Sequence, residues 1–265
     1  MDATPTAQRR DRRRGAGLRL LRRVAPGVHR IEHAYVNCYL IEDGGAVTIV
    51  DAAFPSTWRR MPQILEATGH SLGDVEALVI THAHFDHMGF AAAAATELGV
   101  PVYVHPRDHA LAQRPYTYRR ERSPLWYPLR YPSGVPAILA MGLAGAFVVR
   151  GLEHVQELPD EGVLDVPGRP RVVFTPGHTF GHCALHLADR DALLTGDALV
   201  TLDPYKGQRG PQIVAGAATA DSGMALGALD VLERTGASIV LPGHGEPWRA
   251  GIAAAVAAAR AVGAT

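Results

Sequence analysis

The stretch Val79-Ile80-Thr81-His82-Ala83-His84-Phe85-Asp86-His87 runs from a β-branched, apolar strand straight into four side chains of metal-binding type. In extended backbone alternate side chains project to one side, so His82 and His84 can reach a single metal ion. Asp86 and His87 then turn into the following helix and can face a second ion close by. A solvated loop would have no reason to hold these identities at this spacing.

Around this motif the chain alternates short strands with helices. Upstream, apolar runs at residues 18–24, 28–31, 36–41 and 46–50 read as strands, the last two joined as a hairpin by Glu42-Asp43-Gly44-Gly45. A helix is expected from Pro55 to Thr68, stopped by Gly69, and a buried strand at 77–80. Downstream, 88–98 is an alanine-rich helix ending at Gly99, and 102–104 a strand. Strands follow at 171–174, 184–187 and 192–195, then a helix over 220–234, a strand at 238–241 and a helix over 249–262.

Three later segments repeat the logic of the first, each a strand, a turn of small residues and a ligand-type side chain: Thr175-Pro176-Gly177-His178-Thr179, Thr195-Gly196-Asp197-Ala198 and Leu241-Pro242-Gly243-His244-Gly245. With the His82 cluster they supply seven nitrogen or oxygen donors, a set that suits two borderline metals sharing one bridge. Asp51 ends another strand and can cap the turn before Pro55. His182, four residues after His178, reads either as a support for a liganding histidine or as a satisfied half-buried histidine.

Composition narrows the setting. The chain has 265 residues, 47% hydrophobic and 20% charged, enough for one large α/β domain over 18–265. Its formal charge of zero gives no overall pull toward a polyanion, so nucleic acid is not the expected partner. Residues 1–17 carry Arg9, Arg10, Arg12, Arg13 and Arg14 with almost nothing apolar and read as a disordered basic tail. No apolar run reaches the roughly 20 residues of a membrane span, and Cys38 and Cys183 read as buried thiols, so a cytoplasmic protein with no membrane partner is expected. Residues 113–150 are the one long stretch without a clear period until the apolar run 137–149. Tyr116, Tyr118, Trp126, Tyr127 and Tyr131 stand there beside Arg119, Arg120, Arg122 and Arg130. It is read as an inserted lid over a substrate site or as a surface for a second subunit, which would make a homodimer.

At these motifs the sequence resembles the metallo-β-lactamase superfamily, over residues 27 to 250 and with Asp51, the His82 cluster, His178, Asp197 and His244 in that family's order. The resemblance implies a four-layer αββα sandwich with the metals at one edge between two sheets. It implies that His82, His84 and His178 hold one zinc ion, that Asp86, His87 and His244 hold the other, that Asp197 bridges them, and that Asp51, matching a strand-end aspartate of the family, accepts a hydrogen bond from a liganding histidine. Iron or manganese suits the same donors. A water held by two such ions loses its proton near neutral pH, so the expected activity is hydrolysis of an ester, thioester or lactone type bond in a small molecule. Asp86 is the expected catalytic residue, orienting the water and carrying its proton to the leaving group. The alternatives on the same scaffold are a phosphodiesterase or nuclease, an iron-dependent sulfur dioxygenase and a non-catalytic metal-stabilised binding protein.

Overall fold

The computed structural model describes residues 17–265; the basic tail lies, apart from Gly17, outside the described residues. Seven strands form the first sheet in chain order: β1 (Arg19–Ala25), β2 (Val28–His33), β3 (Val36–Asp43), β4 (Ala46–Val50), β5 (Val75–Val79), β6 (Val102–Val104) and β7 (Gln156–Glu157). Pairing is antiparallel from β1 to β4 and parallel from β4 to β7. Strands β8 (Glu161–Val163), β9 (Arg171–Phe174), β10 (Cys183–Leu187) and β11 (Ala192–Gly196) belong to a second sheet; β12 (Val200–Asp203) and β13 (Gln208–Gln212) form a separate hairpin, and β14 (Ile239–Pro242) closes the second sheet beside β11.

Side-chain alternation builds the layers. In β3, Cys38 and Leu40 point one way and Tyr39 and Ile41 the other. The first pair, with Ile49 and Leu78, packs on the helices Met61–Thr68, Ala91–Leu98 and Val135–Ala144 through Leu65, Ala94 and Met141. The second pair, with Val50 and Val79, meets Cys183, Leu185, Leu194 and Leu241 of the second sheet. The opposite face of that sheet, Ala184, Leu193 and Val240, is covered by Leu229 of the helix Ser222–Glu233 and by Val256 of Ile252–Val262. The fold is therefore a mixed α/β, four-layer αββα sandwich, as expected.

Several local expectations are corrected. The helix expected over 55–68 is two, Pro55–Trp58 and Met61–Thr68. Pro62 has no N–H to offer the Trp58 carbonyl, which breaks the continuous hydrogen-bond ladder. The alanine-rich helix begins at Ala91 and not at 88, so Asp86 and His87 sit in turns outside it. Their backbone is committed elsewhere: the His87 carbonyl accepts from Ala52 N, and Gly89 N and Phe90 N donate to Ala53 O and Ala52 O. Residues 113–150 hold more helix than their lack of period suggested. Pro124, Pro128 and Pro136 each stand in the first turn of a short helix, in Pro124–Trp126, Tyr127–Arg130 and Val135–Ala144. Cys38 and Cys183 are buried and unbridged, and burial pushes both thiols far up. No helix among the described residues is long and apolar enough to cross a membrane.

Candidate metal centre

β9, β11 and β14 run in the same direction, so the segments after them emerge at one edge of the second sheet. His178, Asp197 and His244 lie on those segments, and the loop after β5 meets them from the first sheet, joined by a hydrogen bond from Cys183 N to Thr81 O of 2.8 Å. The edge brings together all seven expected donors, each buried. Their nitrogen and oxygen atoms fall into three groups within 4.8 Å: His82, His84 and His178; His82, His87 and Asp197; and Asp86, His87 and His244. Asp197 reaches both sides. Its Oδ1 is 3.5 Å from His87 Nε2, and its Oδ2 is 3.5 Å from His178 Nε2 and 3.2 Å from His244 Nε2.

The loops aim the imidazoles by holding their other nitrogens. His87 Nδ1–H donates to Asp51 Oδ2 at 2.9 Å, and His244 Nδ1–H to the Tyr35 carbonyl at 2.8 Å. Thr81 spends its hydroxyl proton on Asp51, so its oxygen is left to accept from His82 Nδ1 at 3.0 Å. Thr219 donates to Val214 O at 2.6 Å and stands 3.4 Å from His178 Nδ1 in the same way. In each case Nδ1 carries a proton and Nε2 faces inward. The Nε2 atoms of His82, His84, His87 and His178, with Oδ1 of Asp197, are buried and have no hydrogen-bond partner. Buried polar atoms are seldom left so, and lone pairs clustered in this way fit a metal ion.

Electrostatics point the same way. Burial, reinforced by neighbouring imidazoles, holds His82 and His178 well below the usual histidine range, and burial lowers His84 to about 4. Burial opposes ionisation of Asp197 and Asp86, but the adjacent His244 and His87 outweigh it and keep both carboxyls below their ordinary values. Burial also opposes charge on His87, where the carboxylates of Asp197, Asp51 and Asp86 win and raise it to about 9. The cluster thus combines neutral imidazoles at His82, His84 and His178 with ionised carboxylates, the forms that ligate, while the same carboxylates raise His87 and His244, whose protons a bound cation would displace.

His182, one of the two supporting residues expected, is fully buried and lies beside the bridge position. Its Nε2 accepts from Asp197 N at 3.0 Å, which puts its proton on Nδ1, 2.8 Å from Thr175 Oγ1. Gly243 is required here by space alone: a Cβ on it would stand 2.2 Å from Asp197 Oδ1. Above the donors the cavity measures about 10 Å³ and is lined by Tyr118, Tyr205, Val214 and Ala218. The Tyr118 ring is 4.6 Å from that of His84, and Tyr205, hydrogen-bonded to Tyr118, has its phenol pushed well up by burial. Of the aromatic residues of 113–150, Tyr118 alone lines this cavity; Tyr127 and Tyr131 pack with Tyr205 and Ala215 to one side, and Trp126 is exposed. A wider groove of about 950 Å³ between the helix Ala91–Leu98 and residues 150–156 contains none of the donors.

Sequence reading missed Thr81, Thr219, Tyr205 and Asp108. Thr81 directly precedes the histidine motif and could have been found there. Thr219 and Tyr205 reach the site from distant loops with no spacing that signals it.

A family model described as the metallo-beta-lactamase superfamily matches residues 32–244. The probable metallo-hydrolase YflN of Bacillus subtilis is 30% identical over 203 residues, 73% of this chain and 70% of that one. Among solved structures, the metallo-beta-lactamase family protein TTHA1429 of Thermus thermophilus is 26% identical with a TM-score of 0.63, covering 89% of this chain and 78% of that one. TTHA1623, described in a di-iron-bound form, is also 26% identical, with a TM-score of 0.59 and coverage of 83% and 92%. The matched span contains the whole donor set and the strands that present it, from β3 to β14, and the chain belongs to the metallo-beta-lactamase superfamily.

Proposed function

We propose that this chain is a binuclear, zinc-dependent hydrolase of ester, thioester or lactone bonds in small molecules. The observation that carries the reading is the convergence of seven buried donors, several with lone pairs that nothing else in the protein satisfies. His82, His84 and His178 would hold one ion, Asp86, His87 and His244 the other, and Asp197 would lie between them. Bound there, divalent ions supply Lewis acidity for the scissile carbonyl and lower the pKa of the water they hold.

The protein's own residues do the rest. The Asp86 carboxylate, kept ionised by its histidine neighbours, orients the attacking water, takes its proton and passes it to the leaving group. Asp51 and Thr81 fix the His87 and His82 rings so that no reorganisation is needed as charge develops. Tyr118 and Tyr205 exclude water from above. Residues 113–150 then act as a lid that selects the substrate, and the exposed Arg120 over the Tyr118 ring, with the exposed Arg119 over Phe180, suits a carboxylate on it. A cytoplasmic setting accords with two free thiols.

The test is a substrate panel run on metal-loaded protein: matched esters, thioesters, lactones, β-lactams and phosphodiesters. Turnover confined to the acyl substrates is the expected result, and turnover of phosphodiesters alone would replace the reading by a nuclease one. Iron in place of zinc is the second reading, favoured by the di-iron form of TTHA1623; oxygen uptake with a thiol-derived persulfide and no acyl turnover would establish it.

A further inference from the structure

Asp108 stands in the short turn Pro106–Asp108 after β6, outside every ligand motif, and is 2% exposed. Its carboxylate accepts three hydrogen bonds. Oδ2 takes Ala83 N at 3.0 Å and Thr179 Oγ1 at 2.7 Å, and Oδ1 takes Gly181 N at 2.9 Å. Ala83 lies between His82 and His84, and Thr179 follows His178. One buried carboxylate thus ties the two loops that present these three histidines. We infer that Asp108 is the positioning residue of the first metal site, setting the separation of His82 and His84 from His178. This rests on the reading of those histidines as donors to one ion.

The packing around Asp108 supports this. A Cβ on Gly181 would stand 2.7 Å from Asp108 Oδ1, so the second glycine of Gly177-His178-Thr179-Phe180-Gly181 leaves room for the carboxylate. Burial raises the Asp108 pKa against the three donors that favour its ionised form. A carboxylate serves where an amide cannot. Both oxygens accept, whereas an asparagine must present its NH2 either to Ala83 N–H or to Gly181 N–H, donor against donor. No other described contact between the two loops does this work through a single side chain.

The experiment is zinc titration of the metal-free protein against a chromophoric chelator, comparing the wild type with Asp108→Asn and with Thr179→Val. Thr179→Val removes one contact at nearly constant volume and keeps the test alive if Asp108→Asn fails to fold. Cobalt substitution with visible spectra reports the donor geometry of each ion. The expected result is two ions in the wild type and, in the variants, an affinity for one ion lower by about 10–100-fold, the range for groups that support metal ligands. The other ion's affinity stays within about threefold, and only the spectrum of the histidine-rich site changes. Unchanged affinities in folded variants, or an equal loss at both ions, would overturn the inference. A wild type that takes up no zinc would instead remove the donor reading beneath it.

Discussion

Asp51 serves three donors with two oxygens: Thr81 N at 2.8 Å, Thr81 Oγ1 at 2.9 Å and His87 Nδ1 at 2.9 Å. It does so from left-handed backbone, φ 61°, a conformation aspartate tolerates better than most residues. Its placement beneath a histidine of the donor cluster was legible through its match to a strand-end aspartate of the family; the relay through Thr81 to His82 was not. Asp51→Ala orphans these buried donors at about 1–3 kcal/mol for each one left unpaired. The expected outcome is a lower denaturation midpoint together with a 10–100-fold weaker hold on metal, about the usual effect of removing such a support, read by chelator competition. Asp86→Ala and Asp197→Ala act differently, because both residues stand on loops outside the hydrophobic core. For Asp86→Ala the expected loss is about 10²–10⁴ in kcat, the range for a proton-transfer group, with the far-ultraviolet circular dichroism unchanged. Wild-type rates in Asp86→Ala would show that the proton path lies elsewhere.

At the scale of elements, what was legible and what was not divides on physical grounds. β3, β4, β9 and β11 carry apolar residues on both faces because each lies between a helix layer and the other sheet, and such runs are plain in a sequence. β12 and β13 were not legible: Val200–Asp203 begins only four residues after Gly196, and Gln208–Gln212 carries Arg209, Gly210 and Pro211 where alternation would show. Their hairpin nevertheless presents Tyr205 to the metal centre. Asp203 builds that turn, accepting from Tyr205 N, Lys206 N and Ala215 N and lying 3.6 Å from the buried Lys206 ammonium. Asp203→Ala takes the counter-charge from that ammonium and leaves it only Thr265 Oγ1, at 2.8 Å, so the expected cost is about 3–5 kcal/mol, the loss on breaking a buried pair; urea denaturation measures it. Tyr118 sits on the opposing segment, latched where Ser222 N and Oγ donate to Glu121 at 2.7 and 2.6 Å. Tyr118→Ala should open the cavity, raising kcat/KM for bulky esters relative to small ones. An unchanged ratio would take the substrate path away from this gate.

For the whole molecule, the αββα layering follows from apolar residues alternating on two sheets, and the metal edge from three parallel strands ending together. The apolar half of residues 113–150 divides between core and surface. Ala140, Met141 and Ala144 join the core, while Leu139, Leu143, Phe147 and Val148 stay exposed. Exposed apolar surface of this kind marks an interface, and we propose that it pairs two copies of the chain. Light scattering should then give a dimer mass that Leu143→Glu with Phe147→Glu reduces to that of a monomer; a wild-type monomer at high concentration would refute the pairing. The central claim, that the buried His and Asp cluster is a two-metal hydrolytic centre, is tested most directly by elemental analysis of protein purified without chelator, paired with ester turnover before and after metal removal. The account predicts about two ions per chain, turnover lost on chelation and restored by zinc. One ion per chain, or turnover that survives complete metal removal, would contradict it.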